Sequence, residues 1–173
     1  MKKQLLAFLA FLSIPIFSLR AQNKPLETVG HVDLQKYLGK WYEIAAFPQF
    51  FEKGCTCTIA QYSLKSNGDI AVKNTCNRNG KTTTANGKAV VKDKRTNAKL
   101  SVSFFWPFSG KYWIIALAPD YSYAMVGHPN RKYLWILSRK PKMDEATYRK
   151  LTELAASKGF DLKKLVTTDQ SCN

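Results

Sequence analysis

Residues able to do covalent or metal chemistry are scarce in this chain. It holds two histidines, His31 and His128, and four cysteines, Cys55, Cys57, Cys76 and Cys172. Serine hydrolysis, zinc proteolysis and nucleotide binding each demand a fixed spacing. Yet G-x-S-x-G, H-E-x-x-H, the P-loop and G-x-G-x-x-G are all absent. His31 precedes the first strand-like segment, and His128 falls in the turn Gly127-His128-Pro129, where solvent is the expected neighbour. Neither offers a buried axial position for haem or half of an acid–base pair. Cys55-Thr56-Cys57 is C-x-C, not the C-x-x-C of redox and zinc sites, and no second such pair exists. No catalytic residue, metal or cofactor is therefore expected. An even cysteine count in an exported chain predicts two disulfides, with three pairings open.

What remains is apolar and aromatic chemistry, and the elements that carry it read as strands. The 173 residues are 45% hydrophobic and 13% aromatic, enough for one domain with a substantial core and incompatible with disorder. Strand-like segments run over 40–47, 56–65, 69–76, 82–92, 100–104, 111–118, 122–127 and 132–139. Asn67-Gly68 is a hairpin signal because both residues tolerate positive φ. Leu100-Ser101-Val102-Ser103-Phe104 alternates strictly, one face apolar and one polar. One segment reads as a helix: Asp144 stands at the N-cap, Tyr148, Leu151, Leu154 and Ala155 recur at helical spacing, and Gly159 stops it. Eight short-linked strands either close or leave two bare edges. The expected fold is all-β, an eight-stranded antiparallel up-and-down β-barrel with one C-terminal α-helix packed outside.

The ends of the chain bear on location. Met1-Lys2-Lys3, the apolar stretch from Leu5 to Phe17 and the small residue Ala21 predict a secretory signal peptide over 1–21, ahead of a barrel domain over 22–173. The apolar stretch is about 13 residues, short of the roughly 20 that span a bilayer. Lys and Arg number 27 against 12 Asp and Glu, a formal charge of +15, which falls by three when Lys2, Lys3 and Arg20 leave with the leader. A basic exported protein meets anionic lipid headgroups more often than nucleic acid. An interleaved aromatic and basic groove motif is also missing, so nucleic acid is not an expected partner.

Gly39-Lys40-Trp41-Tyr42-Glu43-Ile44-Ala45 opens the first strand in a G-x-W pattern. Pro119-Asp120-Tyr121 precedes the seventh, and Arg139 ends Tyr133-Leu134-Trp135-Ile136-Leu137-Ser138-Arg139. This ordered set resembles the three signature regions of the lipocalins. Phe51-Glu52-Lys53-Gly54, Val102-Ser103-Phe104-Phe105-Trp106-Pro107-Phe108 and Gly159-Phe160-Asp161 resemble, more narrowly, the bacterial lipocalin group related to apolipoprotein D. The resemblance implies that Gly39, Trp41, Asp120, Tyr121 and Arg139 are structural, with Arg139 stacked over Trp41 as a plug at the closed end. It also implies the disulfides Cys55–Cys76 and Cys57–Cys172. A plain two-residue hairpin at Asn67-Gly68 instead sets Cys76 opposite Ile59 and diagonal to Cys57; a bulge in the second strand reconciles the two. Many relatives carry a lipid-modified cysteine at the cleavage site, whereas Leu19-Arg20-Ala21-Gln22 has none. The expected mature form is unlipidated and periplasmic, outer-membrane-associated or secreted.

With Arg139 directed to Trp41, alternation places Tyr133, Trp135 and Leu137 toward the barrel and Leu134 and Ile136 toward the helix. The predicted ligand lining is Leu100, Val102, Phe104, Tyr112, Ile114, Tyr121, Tyr123, Tyr133 and Trp135, with tyrosine hydroxyls near the mouth and Phe50 and Phe51 at the entrance or anchoring its loop. The resemblance implies a carrier of fatty acid or lysophospholipid. The other reading is a basic envelope protein that associates with anionic lipid surfaces and holds no stoichiometric ligand.

Overall fold

Period-two alternation and turn residues build a nearly continuous meander of strands. The computed structural model describes residues 24–172; the expected signal peptide lies outside the described residues. The strands are β1 (Gly39–Ala46), β2 (Cys55–Leu64), β3 (Ile70–Arg78), β4 (Lys81–Val91), β5 (Lys99–Phe105), β6 (Phe108–Leu117), β7 (Tyr123–Gly127) and β8 (Leu134–Ser138). Each pairs antiparallel with its neighbour, and β1 pairs with both β8 and β2, which closes the ring. All eight strand expectations are met within a few residues, as is the helix α2 (Glu145–Ser157), whose N-cap Asp144 accepts from the Thr147 backbone N–H.

Two elements lack a sequence signal. A single turn, α1 (Leu34–Tyr37), is capped by Asp33, which accepts from the N–H groups of Gln35 and Lys36. A two-residue strand, β9 (Val166–Thr167), lies along β1. The β1–β2 ladder spans only Gly39↔Tyr62 to Tyr42↔Ile59. Beyond that the C-terminal tail is inserted between the two strands: the Thr168 N–H donates to the Ile44 carbonyl and the Cys57 N–H to the Asp169 carbonyl. The Gln170 side-chain amide donates to the carbonyls of Glu43 and Thr58.

Apolar residues separate into two layers. Inside the barrel Val32, Tyr37, Trp41, Tyr62, Val72, Leu100, Ile114, Val126 and Leu137 cluster. Outside it Leu151 and Ala155 of α2 and Phe160 pack on Ile44, Ile115, Met125, Leu134 and Ile136. The expected split of β8 is therefore realised, with Leu134 and Ile136 under the helix. Gly127 makes the outer layer possible, because a Cβ there would stand 2.6 Å from the Phe160 ring.

Both disulfides join the pairs implied by the resemblance, Cys55–Cys76 and Cys57–Cys172. The hairpin register differs from the plain two-residue expectation: Lys65 and Asp69 close a wider turn, and Ile59 faces Thr75 rather than Cys76. The ladder then slips between Thr56 and Ile59, at a bulge where Cys57 takes φ +52. Bulge and slip together bring Cys55 alongside Cys76 and turn Cys57 toward the tail.

Candidate functional site

The meander puts the connections 47–54, 79–80, 106–107 and 128–133 at one end of the barrel and 65–69, 92–98 and 118–122 at the other. The second end is closed from the residues upward. The N-terminal segment crosses it, tied by the Val32 N–H to the Thr96 carbonyl and by the Asn97 side-chain amide to the Val32 carbonyl. Gly39 takes φ +93, open to glycine at no steric cost, and α1 thereby delivers Tyr37 above Trp41. Trp41 is fully buried, its indole N–H donating to the Tyr37 carbonyl at 2.8 Å. The Arg139 guanidinium lies 3.7 Å from the Trp41 ring centroid and donates to the carbonyls of Lys36, Lys40 and Tyr121. Asp120 fixes the adjoining turn by accepting from the Ser122 N–H and hydroxyl. Arg139, stacked on Trp41 and donating to three backbone carbonyls, plugs this end of the barrel.

The lining opens toward the other end. On β2, β5, β6 and β8 the inward side chains nearer the plug, Tyr62, Leu100, Ile114 and Leu137, are buried, while those nearer the mouth, Ala60, Val102, Phe104 and Trp135, are half-buried. Gly87 leaves room for one of these, since a Cβ there would meet the Phe104 ring at 2.8 Å. Two depressions, of about 370 and 340 Å³, lie outside the barrel interior. One surrounds Arg139 at the plug, and the other sits on the outer face of β5 and β6.

Leu100, Val102, Phe104, Tyr112, Ile114 and Trp135 thus share the barrel interior as expected. Tyr133 stacks on Trp135 at the mouth, with ring centroids 6.1 Å apart. Tyr121 packs at the plug, its hydroxyl accepting from the Asp33 N–H. Tyr123 does not face inward; it packs in the outer layer. Tyr121 takes φ +61, outside β7, and this kink breaks the alternation that would have joined the two tyrosines on one face. Nor do the tyrosine hydroxyls gather at the mouth. Tyr112 bonds Tyr37 at 2.8 Å and Tyr62 at 2.9 Å, a buried triad toward the plug. Burial pushes all three phenols up, Tyr62 to about 12, so they stay neutral donors and acceptors. Phe50 and Phe51 stand out from the mouth and pack edge-to-face on one another.

Three polar groups inside the barrel were not expected. Glu43 is paired with inward-facing Leu137 and is buried, its carboxylate accepting from the Thr168 hydroxyl at 2.6 Å. Burial raises its pKa. Glu52 folds back from the β1–β2 loop to lie beside the Trp135 side chain. Burial first, then the Glu43 charge, lifts Glu52 to about 8, so it is neutral near pH 7 and able to donate a hydrogen bond. Asn74, on the same face of β3 as Val72, has a buried side-chain oxygen with no partner. Strict alternation from Trp41 would have placed Glu43 inside; no local pattern marks Glu52. His31 is exposed and His128 lies in the β7–β8 connection, accepting from the Asn130 N–H. Among the described residues no group of three or more His, Cys, Asp or Glu could hold a metal ion, and no helix is long and apolar enough to cross a membrane.

A closed eight-stranded antiparallel barrel with one exterior helix, capped at one end by an arginine–tryptophan stack, is the lipocalin architecture. Residues 32–170 match the family model described as a lipocalin-like domain, and the chain belongs to the lipocalin family. It is 41% identical over 159 residues to temperature-induced lipocalin-1 of Arabidopsis thaliana, covering 87% of this chain and 86% of that protein. Outer membrane lipoprotein Blc of Escherichia coli K12 is 40% identical over 144 residues, 82% of this chain and 81% of its own. Bovine apolipoprotein D is 39% identical over 148 residues, 80% and 77%. Insecticyanin of Manduca sexta shares the fold, with a TM-score of 0.67 at 24% identity over 83% of this chain and 84% of its own.

Proposed function

We propose that the protein binds one small amphiphile, a fatty acid or lysophospholipid, and carries or stores it in a bacterial cell envelope; it is a binding protein, not an enzyme. The observation that supports this most is the graded lining, buried at the plug and half-buried at the mouth. An acyl chain laid against Val102, Phe104 and Trp135 gains about 0.8 kcal/mol per buried CH₂. Neutral Glu52 offers a hydrogen bond to a carboxylate or ester oxygen, with Tyr133 beside it at the rim. Leu100, Tyr112 and Ile114 form the floor of the chamber. The loop holding Phe50 and Phe51 sets the rate of entry. The envelope location draws on the basic and apolar leader and on relatives named as outer membrane lipoproteins.

Native mass spectrometry of gently purified protein, followed by titration with a fluorescent fatty acid, tests the reading. Saturable one-to-one uptake, competed by unlabelled fatty acid or lysophospholipid and weakened roughly tenfold by Val102→Trp filling the chamber, is expected. An empty barrel that fails to take up the probe overturns it.

A further inference from the structure

The four connections at the mouth alternate in chemistry around the ring. The β1–β2 loop presents Phe50, 89% exposed, and Phe51. The β5–β6 hairpin presents Phe105, Trp106 and Phe108, exposed by 76%, 90% and 77%. In a ring ordered β1 to β8 these two tips stand across the opening from one another. Between them, the β3–β4 turn carries exposed Lys81 and the β7–β8 connection exposed Lys132, while Arg78 and Arg131 beside them are tied down, Arg78 to the Phe51 carbonyl and Arg131 to the carbonyls of Lys24, Pro129 and Lys158. Five of the seven large apolar side chains exposed among the described residues are therefore at the mouth, in two opposed groups separated by cations.

Acidic charge is nearly missing from this rim. Glu52 is the one carboxyl in its four connections, and it is folded back against Trp135. The plug end, by contrast, carries Asp69, Asp93 and Asp120 in its connections and no exposed Phe or Trp. Among the described residues the ion pair is Lys164–Asp161, far from the rim in sequence and exposed, so the rim cations are not neutralised by carboxylates. Apolar tips this exposed mark an interaction surface. Aromatic rings flanked by Lys and Arg suit the boundary between headgroups and acyl chains, where the rings leave water and the cations meet acidic headgroups.

We propose that the mouth of the barrel is a docking surface for an anionic lipid bilayer, seated on the Phe50–Phe51 and Phe105–Trp106–Phe108 tips with the flanking cations on acidic headgroups. This goes beyond the carrier reading and does not depend on it. The mature, oxidised protein is mixed with phosphatidylcholine vesicles containing or lacking about one third phosphatidylglycerol, and binding is read by co-sedimentation and tryptophan emission. Trp106 is the one exposed indole among the described residues, so a blue shift on vesicles that disappears in Trp106→Phe reports its insertion.

Binding is expected to require the anionic lipid, to weaken with salt, and to fall roughly tenfold or more in Trp106→Ser/Phe108→Ser. Lys81→Glu/Lys132→Glu is expected to remove the anionic preference, while Lys92→Glu/Lys94→Glu at the plug end leaves binding intact. Failure of the unmodified protein to bind, equal binding by the tip variant, or loss through the plug-end pair overturns the proposal. So does a blue shift that follows protein concentration without vesicles, the mark of two mouths joining. Fatty-acid uptake from solution, measured on the same variants, separates the claims: uptake without vesicle binding refutes docking and leaves the carrier standing.

Discussion

Replacing Glu52 with glutamine tests whether the barrel mouth holds a neutral carboxyl. Folding raises this group from an ordinary 4.5 to about 8. A raised carboxyl pKa means that the native state holds the proton more tightly than the unfolded chain. Stability is therefore unaffected by this group below about pH 4.5, declines as pH climbs from there to about 8, and levels off above. A shift of that size corresponds to about 4–5 kcal/mol if fully expressed. Glu52 is partly exposed, and water relieves some of the charge at high pH, so at least about 2 kcal/mol is expected. The glutamine side chain keeps the shape and cannot ionise. Urea unfolding of the oxidised protein at pH 5, 7 and 9 should show the Glu52→Gln variant level with the parent at pH 5 and at least about 2 kcal/mol more stable at pH 9. A difference constant across the three pH values, or one that favours the parent at pH 9, would refute the buried-carboxyl argument.

Arg139→Ala removes the guanidinium from Trp41 and unpairs three backbone carbonyls; a loss of about 2–4 kcal/mol is expected from chemical denaturation. Gly127→Val drives a side chain into the Phe160 ring, and calorimetry should show destabilisation of about 2–3 kcal/mol with α2 loosened from the barrel. Cys57→Ser/Cys172→Ser frees a loop of sequence separation 115, worth about 4 kcal/mol in chain entropy, read by urea midpoints with the Cys55–Cys76 bridge intact.

The strands were legible because their information is local: alternation in Leu100–Phe104, Asn67-Gly68 between two β-branched runs, Asp144 and Gly159 around a helical stripe. The interior of β5 and β8 followed from the same period. The reading failed where backbone geometry leaves period two without a residue-type signal. Cys57 and Tyr121 adopt positive φ although neither is glycine, and the second of these turned Tyr123 to the outer face. β9, Glu52 and the partner that Glu43 finds were invisible for a different reason. Each depends on a partner more than a hundred residues away, such as Thr168 on Glu43, or on a loop folding back, as Glu52 does.

The inserted tail has a consequence for how the chain is made. β1 and β2 arise early in synthesis, but the seam between their mouth-side halves is filled by residues 166–172, more than a hundred residues later in the chain. A nascent or truncated chain can pair its neighbouring strands and still present two open, unpaired edges along that seam. Sealing of the ring is thus postponed until residues 166–172 have emerged, and the long contact separation favours slow, late completion. The Cys57–Cys172 disulfide joins the tail to β2 along the same seam, so the bond that locks it forms only once the tail has been inserted.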